Sequence, residues 1–213
     1  MIRYRTWLTF SFLFIPLTWA EVSSRPAITA PIPVETLRDF QHYPPQVQHL
    51  IRQAAELSEK NLTYRYGSAN PNNRGMDCSG TIYYLLKSVK VKAVPRASDT
   101  IYQWVRKTGD FHEVADTHFD SPQFNYLKPG DLLFWSGTYD IKRAIPITHF
   151  MVYLGKNKQG KPLMFGASNG RTYQGKSMWG VSVFDFLLPA KDSKAKFVGY
   201  SCIPELTCGI DKT

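Results

Sequence analysis

Between Pro45 and Leu62 the apolar residues Val47, Leu50, Ile51, Ala54, Ala55 and Leu57 recur every three or four positions, which predicts an amphipathic helix. Tyr64-Arg65-Tyr66-Gly67 follows, and then Ser68 to Gly75, rich in Asn, Pro and Gly, reads as a loop. A second stripe, Ile82, Leu85, Leu86 and Val89, begins just after Asp77-Cys78-Ser79-Gly80. That spacing places Cys78 at the start of a buried helix, with Asp77 as its N-cap. Further on the period changes. Asp131 to Trp135, His149 to Leu154, Leu163 to Ala167 and Gly180 to Phe184 alternate or run apolar over short spans between Gly, Lys and Asn turns, as strands of a short antiparallel sheet do. In the second of these, Met151 and Tyr153 share a face with His149 while Phe150, Val152 and Leu154 take the other. Helices early and strands late predict an α+β domain.

Two segments stand outside this pattern. Residues 1–20 carry Arg3 and Arg5, an apolar stretch from Trp7 to Leu17, and then Thr18-Trp19-Ala20, the layout of a cleavable export signal. The apolar run is shorter than the roughly 20 residues that span a bilayer, so no stable membrane insertion is expected after cleavage. Residues 21–44, with Pro26, Pro31, Pro33 and Pro44, read as a proline-rich arm or linker. The folded domain is expected over 45–200, and a C-terminal tail over 201–213.

Composition narrows the class. With 213 residues, 43% hydrophobic and 20% charged, the chain has room for one globular domain with a sizeable core and is short for two. The formal net charge of +9 falls to +7 once Arg3 and Arg5 leave with the signal. Such a charge suits anionic surroundings, cell-wall polymers included, and equally a plain soluble basic surface. No zinc finger, basic repeat or aromatic-basic sheet signature points to nucleic acid. Three cysteines fit an oxidising compartment if Cys202 and Cys208, six apart around Pro204, close a small loop. Cys78 is then left as a free thiol.

A cysteine is a good nucleophile as thiolate, and the N-terminus of a helix stabilises that anion while its unpaired N–H groups suit the oxyanion of a tetrahedral intermediate. The Asp77 carboxylate opposes thiolate formation unless it is turned into the cap hydrogen bonds. A base is needed as well, and imidazole has the right pKa. His42, His49, His112 and His118 lie in polar or surface-like contexts; His149 opens an apolar strand, where spacing alone fits a structural residue as readily as a catalytic one. The cluster His112, Glu113, Asp116 and His118 matches no helical zinc pair, and there is no C-x-x-C, so neither metal nor cofactor is expected.

Taken in order, Tyr64-Arg65-Tyr66-Gly67, Met76-Asp77-Cys78-Ser79-Gly80, Val94-Pro95-Arg96-Ala97-Ser98, Leu127-Lys128-Pro129-Gly130-Asp131-Leu132-Leu133-Phe134 and His149-Phe150-Met151-Val152-Tyr153-Leu154-Gly155 resemble the NlpC/P60 family over about residues 45 to 200. The resemblance implies a papain-like fold with N-terminal helices packed on a small antiparallel sheet, Cys78 as nucleophile, His149 as general base, and peptidoglycan stem peptides as substrate, often cut between D-glutamate and diaminopimelate. It also places Tyr64 beside the catalytic pair and Ser79 in the substrate cleft. Arg96 is a candidate for an acidic group of the peptide, with a solvated arginine as the plainer alternative.

One position departs from the family. The residue that usually orients the imidazole falls at Gly166, which has no side chain to do so. Asn169 is the expected replacement, with Ser168, a backbone carbonyl, a water or an incompletely active domain as the alternatives; Asn-Gly is also a turn pair, and Gly166-Ala167-Ser168-Asn169-Gly170-Arg171 as a whole is a candidate cleft wall. Ser168 is expected in the cleft wall, and Tyr173 and Trp179 are candidates for its rim. The reading is an exported, periplasmic or secreted, monomeric cysteine endopeptidase. The alternatives are a weak or inactive wall-peptide binder, and a thiol amidase or acyltransferase acting on another exported amide.

Overall fold

The computed structural model describes residues 25–108 and 110–209, so the export signal expected over 1–20 lies outside the described residues. Helix α1 (Pro45–Ser58) starts on Pro45, whose fixed φ suits a first helical turn. It stops four residues before the periodicity suggests. Ser58 Oγ turns back to donate to Ala55 O at 2.7 Å and accepts the Ile32 N–H at 3.0 Å, and Asn61 takes a left-handed φ of 49°. The chain after it extends instead, pairing β1 (Thr63–Tyr64) in parallel with β2 (Gly75–Met76). Helix α2 (Cys78–Ser88) follows, and then α3 (Ser98–Thr108), which the sequence reading did not predict. Its core is only Ile101 and Val105, one turn apart, too short a stripe to stand out among Tyr102, Trp104 and the charged residues.

Strands β3 (Phe111–Glu113), β4 (Leu132–Ser136), β5 (Ile147–Lys156), β6 (Pro162–Ser168), β9 (Gly180–Asp185) and β10 (Lys196–Ser201) form one antiparallel sheet in the order β3-β10-β4-β5-β6-β9; a small hairpin, β7 (Thr172–Tyr173) and β8 (Lys176–Ser177), lies between β6 and β9. One sheet face carries Leu132, Phe134, Phe150, Val152, Phe165 and Val183 against Leu50 and Ile51 of α1, Ile82 and Leu85 of α2 and Ile101 of α3. Burial of each such large side chain stabilises by about 1.5–3 kcal/mol. The opposite face carries Leu133, Trp135, Met151, Met164, Phe184 and Tyr200, packed with Phe124, Met178 and Phe186 from outside its strands. With both faces covered, β4 to β6 read as nearly continuous apolar runs.

Residues 25–44 are packed along the domain. Ile28 and Trp179 exchange backbone bonds of 3.0 and 2.7 Å, and Val183 N–H donates to Ala30 O at 3.1 Å, so this segment covers the outer edge of β9. Ile32, Leu37 and Phe40 are buried in the helix-side core. At the other end a Cys202–Cys208 disulfide closes the turn after β10, and Cys78 is the free cysteine among the described residues. The chain has an α+β, papain-like fold.

Candidate active site

Asp77 caps α2 by accepting the Gly80 N–H at 2.5 Å, and its other carboxylate oxygen accepts the Gly67 N–H at 2.7 Å. Both oxygens also receive Arg96 Nη2, at 3.2 and 3.1 Å, and Arg96 Nη1 donates to Ser79 Oγ, which itself donates to Asp77 at 3.1 Å. Gly80 completes this anchorage. A Cβ there would stand 2.0 Å from the carbonyl oxygen of Ser68, so only glycine lets the 67–69 loop lie on the first turn of α2. The result is a rigid helix start with its sulfur fixed in place. Arg96 and Ser79, both expected to contact substrate, are bonded here to Asp77 and to each other, which holds the helix N-terminus in register.

Cys78 is 8% exposed. Burial, and next the charge of Asp77, push its thiol up to about 12, against the opposing pull of the Ser79 N–H and Arg96. His149, on β5, is 7% exposed, and its imidazole is held well below its ordinary value by burial and then by the positive charge of Arg171. At neutral pH the pair therefore rests as neutral thiol and neutral imidazole. Arg171 ties the two together, because its guanidinium acts electrostatically on both.

The cleft beside His149 has a volume of about 440 Å³. Tyr64, Trp135, Tyr139, Ser168, Asn169 and Arg171 are among its walls. Tyr64 reaches it from β1 and feels the Cys78 charge, as does Tyr139; burial, ahead of that charge, raises the pKa of both phenols. Ser168 ends β6 facing the cleft and is buried. Trp179 and Tyr173 are not among the cleft walls; Trp179 meets Tyr64 edge-on with ring centroids 6.4 Å apart and carries Arg25 on its face at 4.3 Å.

The orienting group expected of Asn169 is not there. His149 Nε2 is buried without a hydrogen-bond partner, and Asn169, exposed just beyond the end of β6, makes no bond to the ring. The β5–β6 register explains why. Val152 stands opposite Phe165 and Tyr153 opposite Met164, which brings Met151 up to Gly166. Met151 fills the space in front of Gly166. The imidazole is instead packed beside Trp135, its cross-strand partner, at 5.9 Å between ring centroids. Arg171, the last residue of the candidate cleft wall, lies with its guanidinium carbon 4.2 Å from the centre of the Trp135 ring.

Among the described residues no group of three His, Cys, Asp or Glu side chains converges as a metal site. His112 is stacked between Tyr126 and Tyr200, with centroids at 5.2 and 5.0 Å. Nor is any helix of the described residues long and apolar enough to cross a membrane.

The profile of the NlpC/P60 family matches residues 61–179, from the turn after α1 to the residue before β9. No curated protein sequence matches the chain. A crystal structure from Staphylococcus aureus subsp. aureus Mu50, described as similar to a lipoprotein of the NLP/P60 family, superposes with a TM-score of 0.50 at 18% identity, over 76% of this chain and 43% of that one. The present chain thus spans less than half the length of that relative. A capped helix that begins on a free cysteine, a buried sheet histidine that lines a cleft, and a family match over more than half the residues lead to one conclusion: this chain belongs to the NlpC/P60 family, whose function is in general that of peptidoglycan-related cysteine peptidases.

Proposed function

We propose that the chain is an exported cysteine endopeptidase that hydrolyses amide bonds in peptidoglycan stem peptides. The observation that carries this reading is the placement of the free Cys78 on the first residue of a clamped helix, in the field of the same arginine that faces His149. In this reading His149 takes the Cys78 proton as the sulfur attacks the substrate carbonyl, which suits a pair that rests uncharged. The oxyanion forms against the Cys78 N–H. As the intermediate collapses to a thioester, His149 gives its proton to the departing amine; a water deprotonated by His149 then attacks the thioester and frees Cys78. Tyr64 and Ser168 line the approach of the peptide.

A second reading, a weak or inactive wall-peptide binder, is favoured by the unpartnered His149 Nε2, because an imidazole without an acceptor loses part of the positioning that a triad provides. Mass spectrometry of purified peptidoglycan treated with mature protein separates the two. Defined stem-peptide fragments from wild type and none from Cys78→Ala support the peptidase. Binding to the sacculus without release of peptides supports the binder.

A further inference from the structure

Arg171 is a cation without a counter-ion. Its side chain has no ion pair or hydrogen bond to any described residue, and none of the walls of the His149 cleft is an Asp or Glu. The carboxylate nearest the nucleophile, Asp77, is already saturated by Arg96, Gly80, Gly67 and Ser79. Its guanidinium carbon lies 4.2 Å from the centre of the Trp135 ring, a cation–π contact that holds the group at the cleft wall while using none of its N–H donors. A partly buried arginine of this kind, held against an indole and unpaired among the described residues, suits a bidentate anionic ligand.

We propose that Arg171 binds a free carboxylate of the substrate next to the scissile amide, and so makes the site selective for stem peptides whose carboxylates are not amidated. This rests on the stem-peptide reading for its choice of ligand, but the arginine's preference for an anionic over a neutral peptide does not depend on turnover. A docked carboxylate has a second consequence. Arg171 is one of the two influences that hold the His149 imidazole low, after burial, and pairing the arginine cancels that influence, so the substrate itself makes His149 a better acceptor for the thiol proton.

The test uses Cys78→Ala protein, which cannot turn over, and the tripeptide L-Ala-γ-D-Glu-diaminopimelate, together with forms amidated singly at the glutamyl α-carboxylate and at each diaminopimelate carboxylate. Calorimetric titration should show one amidated form binding about tenfold or more weakly than the free acid, as for loss of a desolvated charge pair. Arg171→Met in the same background should bind the free acid and that amide alike, with Arg171→Lys intermediate; unchanged melting curves establish that the variants fold. Equal affinity for all forms with Arg171 intact, no binding of any form, or a preference that survives Arg171→Met overturns the proposal. If wild type cleaves none of these peptides while the Cys78→Ala preference holds, the peptidase reading falls and the role of Arg171 stands.

Discussion

A Cβ added to Gly166 would stand 3.0 Å from Cγ of Met151, so the place from which a neighbouring strand would orient His149 is occupied by a thioether. The two positions act as one packing unit across β5 and β6. Restoring an orienting side chain therefore requires changing both.

Gly166→His alone is expected to overpack this contact and cost about 1–3 kcal/mol. Met151→Ala alone opens a cavity in a fully buried place, at about 2–5 kcal/mol. The double variant Met151→Ala/Gly166→His should cost less than the sum of the two, and its kcat should exceed that of the Met151→Ala single, because an imidazole at 166 comes within reach of the orphaned Nε2. Denaturant titration and stem-peptide turnover check the two halves; strict additivity in stability would show that the residues do not share one space.

The clamp on Asp77 gives a different expectation. Arg96→Ala leaves the 8% exposed Asp77 carboxylate without its bidentate partner, though solvent reaches the 37% exposed arginine and softens the loss to about 1–2 kcal/mol. Activity should fall more steeply than stability, since Asp77 is freed to swing toward the thiol. Arg96→Lys should recover the melting temperature better than kcat, because an ammonium cannot hold both carboxylate oxygens and Ser79 in one plane. Thermal melts and kcat measured on the same preparations test this.

The pH profile follows from the resting charges. Only neutral His149 can accept a proton, and its pKa lies well below the ordinary 6.5, so the acid limb of kcat/KM should fall on the acid side of that value. The thiol, pushed up to about 12, contributes no limb near neutrality. Activity should be level from about pH 7 to pH 9. Arg171→Met removes a positive neighbour, which favours the imidazolium, and should move the acid limb to higher pH. A limb that stays in place in this variant would separate Arg171 from His149.

Asp131 sets a pH dependence of stability that has nothing to do with catalysis. It is buried at the turn into β4, where its Oδ2 accepts the Lys128 N–H at 2.8 Å, and burial pushes its pKa up to about 7. The folded form then holds a proton that the unfolded chain releases near pH 4, so this residue makes stability fall as pH rises from about 4 to 7 and keeps it low above that. The loss is on the order of 2–4 kcal/mol. Asp131→Asn keeps an acceptor for the Lys128 N–H and should be less stable than wild type near pH 4 by little, and more stable at pH 8. Urea titrations at the two pH values read the crossing directly.

Much of the domain was legible because it is written in near neighbours. The stripe from Val47 to Leu57 and that from Ile82 to Val89 each bury one helix face, and the Asp77-Cys78 step marks its own cap within four residues. The runs around Phe134, Phe150 and Phe165 declare buried strands for the same reason. By contrast α3, β3 and β10 carry short or mixed patterns whose burial depends on what happens to lie over them.

The site divides along the same line. By itself the sequence determined that Cys78 heads a helix and that His149 sits on a buried strand, since both statements depend on residues a turn or two away. Only the tertiary structure decided that Arg96 and Ser79 are bonded to Asp77, that Asn169 stops short of the imidazole while Met151 stands before Gly166, and that Arg171 rests on Trp135 in the His149 cleft. Those facts are set by the packing of strands and loops, which brings together residues 15 positions apart, as Met151 and Gly166 are, or 93 apart, as Cys78 and Arg171 are. Local periodicity carries no record of such separations, because the energy that selects them is released only when the sheet closes.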